Sequence, residues 1–179
     1  LWGRWAYLTR DQTKTGANKT TVIVIGRGRM GTLIRSLIEE ATDLHFVAAY
    51  GEVDALNLDE AAPPVDLIID FSAASALPHI EAYVRRTQAA LVSGTTGFTK
   101  DELERLQSLG KFAPVVYAAN YSVGITALKH LVSQAAQMLP DFDVEIVETH
   151  HNKKVDAPSG TANLLLKAVD PSGQSRVIN

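Results

Sequence analysis

From Thr21 onward the apolar positions switch repeatedly between a period near two and a period near four. TVIVI (Thr21–Ile25) is a short β-branched run closed by glycine, the pattern of a buried parallel strand. Leu33, Ile34, Leu37 and Ile38 follow at helical spacing and predict an amphipathic helix. HFVAAY (His45–Tyr50), VDLIIDF (Val65–Phe71), AALVS (Ala89–Ser93) and PVVYA (Pro114–Ala118) read as four more strands. Leu77, Ile80 and Val84 mark a helix after the third strand. Another is expected just after Thr99, because Thr99 and Glu102 have the spacing of a capping box. Strands alternating with helices predict parallel βαβ units, and therefore a doubly wound α/β sheet.

Beyond Asn120 the rhythm changes. Ile125, Leu128, Leu131, Val132, Ala135 and Leu139 line one side of a long helix that Pro140 stops. DVEIVETH (Asp143–His150) reads as a sixth strand, and Leu164, Leu165 and Ala168 mark a last helix closing near Pro171. A boundary near Asn120–Gly124 divides a domain over 21–122 from part of a second, α+β domain over 123–179. Residues 1–20 are Thr-rich and lack an apolar core of signal-peptide length, so they read as upstream sequence outside the fold.

Composition narrows the classes. The chain has 179 residues, 46% of them hydrophobic, which suits an ordinary packed core. With a net charge of −3 and no basic block longer than two residues, it is not expected to bind nucleic acid. No apolar run approaches the roughly 18 residues of a membrane span. The absence of cysteine excludes disulfides, thiolate metal sites and a cysteine nucleophile, and suits a cytoplasmic location.

Two clusters carry candidate chemistry. Gly26-Arg27-Gly28-Arg29-Met30-Gly31 is a complete G-x-G-x-x-G between the first strand and the first helix. In that context it predicts a Rossmann-type dinucleotide site, with backbone amides at the helix start facing a pyrophosphate. The plainer alternative is a glycine turn that serves packing alone. Glu52, just past the second strand, is the candidate acid for the adenosine ribose; a solvated carboxylate is the alternative.

The second cluster is ETHHNKKVDAPSGTA (Glu148–Ala162). His150 and His151 would point to opposite faces of a strand, so they make a poor chelating pair. Glu148 and His150 share a face but lack an evident third ligand, and no metal is expected. Ser159, Gly160 and Thr161 stand where a helix starts, which suits a carboxylate or phosphate. A histidine supplies a proton near neutral pH and a lysine neutralises an anion. The cluster therefore reads as a proton donor beside an anion cradle. Facing a nicotinamide, it would suit a reduction.

VIVIGRGRMG, IDFSAASALPH, VSGTTGF, AANYSVGI and ETHHNKKVDAPSGTA, in that order, closely resemble dihydrodipicolinate reductases from Val22 to about Val169. The resemblance implies reduction of a cyclic dicarboxylate, 4-hydroxy-tetrahydrodipicolinate, by NADH or NADPH in the diaminopimelate pathway to lysine. It implies His150 and Lys154 as the proton-donating pair, His151 in contact with substrate, and Gly160 with Thr161 holding a substrate carboxylate. It adds cofactor contacts at Gly94, Thr95 and Thr96 and at Ala118, Ala119, Asn120 and Tyr121. Phe71 and Ser72 end the third strand at the same edge. A homotetramer is implied for the complete protein.

Three departures from the family pattern stand out. The glycine loop is one residue shorter than in many members, and the usual ribose-binding acid aligns with Gly51, which leaves the choice of NADH or NADPH open. Family members continue past the position of Asn179, so a protein ending there is expected to be weak or inactive. Aspartate-semialdehyde dehydrogenase, a neighbour in chemistry, needs the cysteine this chain lacks. A dinucleotide-binding fragment without turnover, or another two-domain NAD(P)-dependent oxidoreductase, are the alternatives.

Overall fold

The structure, a computed structural model, describes residues 19–51, 58–150, 152 and 158–173. Its centre is a five-stranded, wholly parallel sheet. The strands are β1 (Thr20–Ile25), β2 (Leu44–Tyr50), β3 (Leu67–Asp70), β4 (Ala90–Ser93) and β5 (Val115–Tyr117), in the order β2-β1-β3-β4-β5. The helices are α1 (Arg29–Glu40), α2 (Leu58–Ala61), α3 (Leu77–Thr87), α4 (Lys100–Ser108), α5 (Val123–Met138) and α6 (Gly160–Val169). All five strands lie within a residue or two of the predicted runs. β1 begins at Thr20, so one residue set aside as outside the fold belongs to the sheet.

The doubly wound form follows from alternation within β1. Ile23 and Ile25 join Ile68, Leu91, Leu77, Ile80 and Leu106 in a core on one face. Val22 and Val24, pointing the other way, pack with Ile38 of α1. Each of these four β1 residues is 0% exposed. A strand buried on both faces needs helices on both faces.

β2 lies on one side of β1, while β3, β4 and β5 follow on the other. The winding therefore reverses between β1 and β3, the crevice where open α/β sheets bind ligands. The strand ends are level: Ile25 pairs with Tyr50 and Asp70, Asp70 with Ser93, and Ser93 with Tyr117. All the following turns thus open at one edge.

Caps set where the helices begin. Thr99 accepts the Glu102 N–H while the Glu102 carboxylate accepts the Thr99 N–H, completing the expected capping box of α4. Ser122 and Ser159 cap α5 and α6, each hydroxyl accepting an N–H three residues on.

One expectation fails beyond Asn120. Residues 143–150 form no strand: each is exposed, and no described strand runs beside them to supply a ladder. Local β propensity cannot replace that partner. The long helix is present as expected; among the described residues part of its apolar side is open, with Leu128 40%, Leu131 64% and Leu139 46% exposed, while Ile125 and Val132 are half-buried.

Candidate active site

The glycine loop divides its labour. Gly26 has φ +110, a left-handed value that favours glycine, and a Cβ there would lie 2.2 Å from the Phe71 carbonyl oxygen. At Gly31 a Cβ would lie 1.9 Å from the Gly26 carbonyl oxygen. These two are buried and keep α1 tight against the turn. Gly28 is different: it is the exposed N-cap of α1, has no side-chain cap, and a Cβ there would meet nothing within 4 Å. Its openness serves approach from outside, and no acidic residue stands in the first turn of α1 to repel an anion. The loop therefore fits a dinucleotide pyrophosphate.

Arg27, Arg29 and Met30 are exposed around that opening. Arg27 reaches across the end of β2, its Nε and Nη2 donating to the Ala49 carbonyl at 3.2 and 2.8 Å. Glu52, the acid expected nearby, lies outside the described residues.

The turns after β3, β4 and β5 meet the same edge. Thr95 is buried, and its hydroxyl accepts the Ser72 N–H at 2.8 Å; Thr96 is exposed. A Cβ on Gly94 would lie 2.2 Å from the Phe71 ring, so that ring closes over the glycine. Tyr121 stacks beside Phe71 at 5.8 Å between centroids and donates its hydroxyl to the Ser93 carbonyl at 2.9 Å. Burial raises the Tyr121 phenol above its ordinary pKa.

From here the chain enters α5, and a side chain of the turn reaches α6. Asn120 donates from Nδ2 to Thr161 Oγ1 at 3.0 Å, while its Oδ1 accepts the Ser122 N–H at 2.7 Å. One side chain thus joins the sheet edge, the start of α5 and the start of α6.

An open cleft of about 490 Å³ lies at that junction. Thr96 and Ala119 line it from the sheet, Glu148 and His150 from the extended segment, and Ser159, Gly160 and Thr161 from the start of α6. Ile146, Val147, Ala162 and Leu165 give it an apolar wall. Ala118 is half-buried in the turn above it.

Glu148 does most of the local ordering. Its Oε1 accepts the Ser159 N–H at 2.7 Å, and its Oε2 lies 3.7 Å from His150 Nδ1. Ser159 is buried and its hydroxyl accepts the Ala162 N–H at 3.0 Å. The first-turn amides of Gly160 and Thr161, which no helix can satisfy internally, remain beside the cleft. His151 and Lys154 lie outside the described residues. No three His, Asp or Glu groups among the described residues are placed to hold a metal.

Two groups escaped the sequence reading. Asp70, 1% exposed, ends an otherwise apolar strand, where a carboxylate reads as merely solvated. Glu148 was visible only as a possible metal ligand. The signal for both was position: one beneath the crevice, the other two residues from a histidine.

The family described as "Dihydrodipicolinate reductase, N-terminus" matches residues 20–121, and "Dihydrodipicolinate reductase, C-terminus" matches 124–177. A 4-hydroxy-tetrahydrodipicolinate reductase of Exiguobacterium sp. is 36% identical over 151 residues, covering 83% of this chain and 61% of the relative. One from Campylobacter jejuni is 41% identical over 143 residues, covering 80% and 58%. One from Methanocorpusculum labreanum is 39% identical over 163 residues, covering 83% and 64%. The chain thus spans about three fifths of the length of the curated relatives it matches. Among solved structures, the dipicolinate-bound dihydrodipicolinate reductase of Paenisporosarcina sp. TG-14 shares the fold. Its TM-score is 0.63 at 22% identity, with 90% of this chain and 69% of that one covered. The two family matches together account for nearly every described residue, and the chain belongs to the dihydrodipicolinate reductase family.

Proposed function

We propose that this segment carries the cofactor site and the proton-donating half of a 4-hydroxy-tetrahydrodipicolinate reductase, acting with NADH or NADPH in diaminopimelate and lysine biosynthesis. The observation that carries the reading is one cleft lined jointly by His150, the start of α6 and the sheet-edge residues Thr96 and Ala119.

Residues 21–122 serve as the dinucleotide domain and 123–179 as part of the substrate domain. Gly26 to Gly31 receive the pyrophosphate at Gly28, while Gly94, Thr95, Thr96 and the Ala118–Tyr121 turn face the nicotinamide half. When bound, the reduced nicotinamide supplies hydride. A small cyclic dicarboxylate suits the remainder of the cleft, and the solved neighbour holds one such molecule, dipicolinate.

The amides of Gly160 and Thr161 hold one carboxylate, helped by the positive end of α6. Thr161 is steadied for this by Asn120. With His150 Nδ1 turned toward Glu148, Nε2 is the atom that delivers the proton. The carboxylate of Glu148 fixes the orientation of the imidazole. Lys154 shares the proton-donating role, as the family pattern implies. Cytoplasmic placement and a homotetramer belong to the same proposal and rest on family membership.

The test is His150→Ala in the protein that carries this segment. Turnover of the dicarboxylate should fall about 10²–10⁴-fold, while reduced dinucleotide binds within about twofold of wild type. Undiminished turnover sinks the reading. Dinucleotide binding with no dicarboxylate turnover in wild type leaves the binding-fragment alternative standing.

A further inference from the structure

We propose that Asp70 is a positioning residue for dinucleotide binding. Its buried carboxylate fastens the turns after β3 and β4 together and, through Phe71, holds the glycine turn after β1 in the shape that receives the cofactor. This rests on the dinucleotide reading above.

Asp70 stands two residues beyond Ile68 on the same face of β3, where alternation calls for another apolar side chain. It is level with Ile25 on one side and Ser93 on the other, directly under the crevice where the winding reverses. Its Oδ1 accepts from the Ser72 hydroxyl at 2.5 Å and the Ser72 N–H at 3.2 Å. Its Oδ2 accepts from the Ser93 hydroxyl at 2.8 Å. The Ser72 N–H is shared with Thr95 Oγ1.

One carboxylate therefore binds two turns that belong to different strands. Those turns in turn wedge the third. The Phe71 carbonyl sits where a Gly26 side chain would begin, and the Phe71 ring sits where a Gly94 side chain would begin. Movement of Phe71 is transmitted to both glycines with no slack to absorb it.

A purely structural role explains this poorly. Taking a carboxylate out of water is unfavourable, and desolvation outweighs the Ser72, Ser93 and Thr95 hydrogen bonds, so the Asp70 pKa is raised. The folded chain holds this proton more tightly than the unfolded chain. The group's stabilising contribution is therefore present below the unfolded value and is lost as pH rises through the folded one. An isosteric amide would relieve that cost. A buried carboxyl bonded to both turns, in a place where an apolar side chain would pack at no such cost, points to shape needed for binding.

The experiment compares wild type with Asp70→Asn and Ser93→Ala in thermal unfolding, NADPH and NADH binding by fluorescence titration, and amide hydrogen exchange without ligand. Asp70→Asn should unfold at the same or a higher temperature near neutral pH. It should bind NADPH about tenfold more weakly and exchange faster at Ser72, Gly94 and Thr95. Ser93→Ala, which removes one donor and leaves the charge, should shift binding the same way by about threefold. Wild-type affinity and exchange in Asp70→Asn overturn the proposal. So does a binding loss that only tracks a fall in thermal stability. If wild type binds neither dinucleotide, the cofactor reading itself fails, and exchange at the three amides still decides whether Asp70 fastens the turns.

Discussion

Gly28 and Gly31 stand three residues apart in the same motif, yet they answer to different demands. A methyl group on Gly31 would collide with the Gly26 backbone, whereas one on Gly28 would enter open space. Gly31→Ala should therefore destabilise the fold by about 1–3 kcal/mol, the range for overpacking. Gly28→Ala should change stability by less than about 1 kcal/mol, while abolishing measurable NADPH binding because the methyl occupies the space a pyrophosphate needs. Chemical denaturation and fluorescence titration of the two variants separate the effects. Equal loss of stability in both would contradict the division. The motif was legible because each glycine has its own steric reason. Asp70 was not, since a burial so complete depends on β4 and its serine, 23 residues away.

At the scale of elements, the most local signals proved the most legible. The Thr99–Glu102 pair foretold the start of α4 because a capping box is complete within four residues. Thr99→Ala should cost about 1 kcal/mol of stability. Hydrogen bonds from Thr99 hold the Glu102 carboxyl below its ordinary pKa. That contribution is present above the unfolded value and is lost as pH falls through the folded one. In Thr99→Ala this acid-dependent part should shrink but persist, because the Thr99 N–H, the larger of the two donors to the Glu102 carboxylate, remains in alanine; unfolding measured from neutral to acid pH can check it. Residues 143–150 show the opposite case. Their β-branched residues Val144, Ile146 and Val147 favoured a strand, but a strand needs a ladder, and its partner is not encoded in the segment itself.

For the whole molecule, stability resides in the two faces of the sheet. Ile68→Ala, at a site with 0% exposure, should cost about 2–5 kcal/mol. Leu131→Ala, 64% exposed on α5, should cost no more than about 0.5 kcal/mol. Comparable losses at both sites would place the core differently. The class of sheet was readable because alternating periods demand crossovers, but the strand order was not. β3 beside β1 joins residues more than 40 positions apart, and nothing in either strand names its neighbour.

The five strands finish flush, from Tyr50 through Ile25, Asp70 and Ser93 to Tyr117. Such an even rim separates inheritance from invention. Turns above it that lie clear of the Gly26, Phe71 and Gly94 contacts can lengthen, shorten or exchange residues without disturbing a rung below. Gly51, just past the end of β2, stands at such a place. A lineage can thus retune which nucleotide it favours while its scaffold stays untouched.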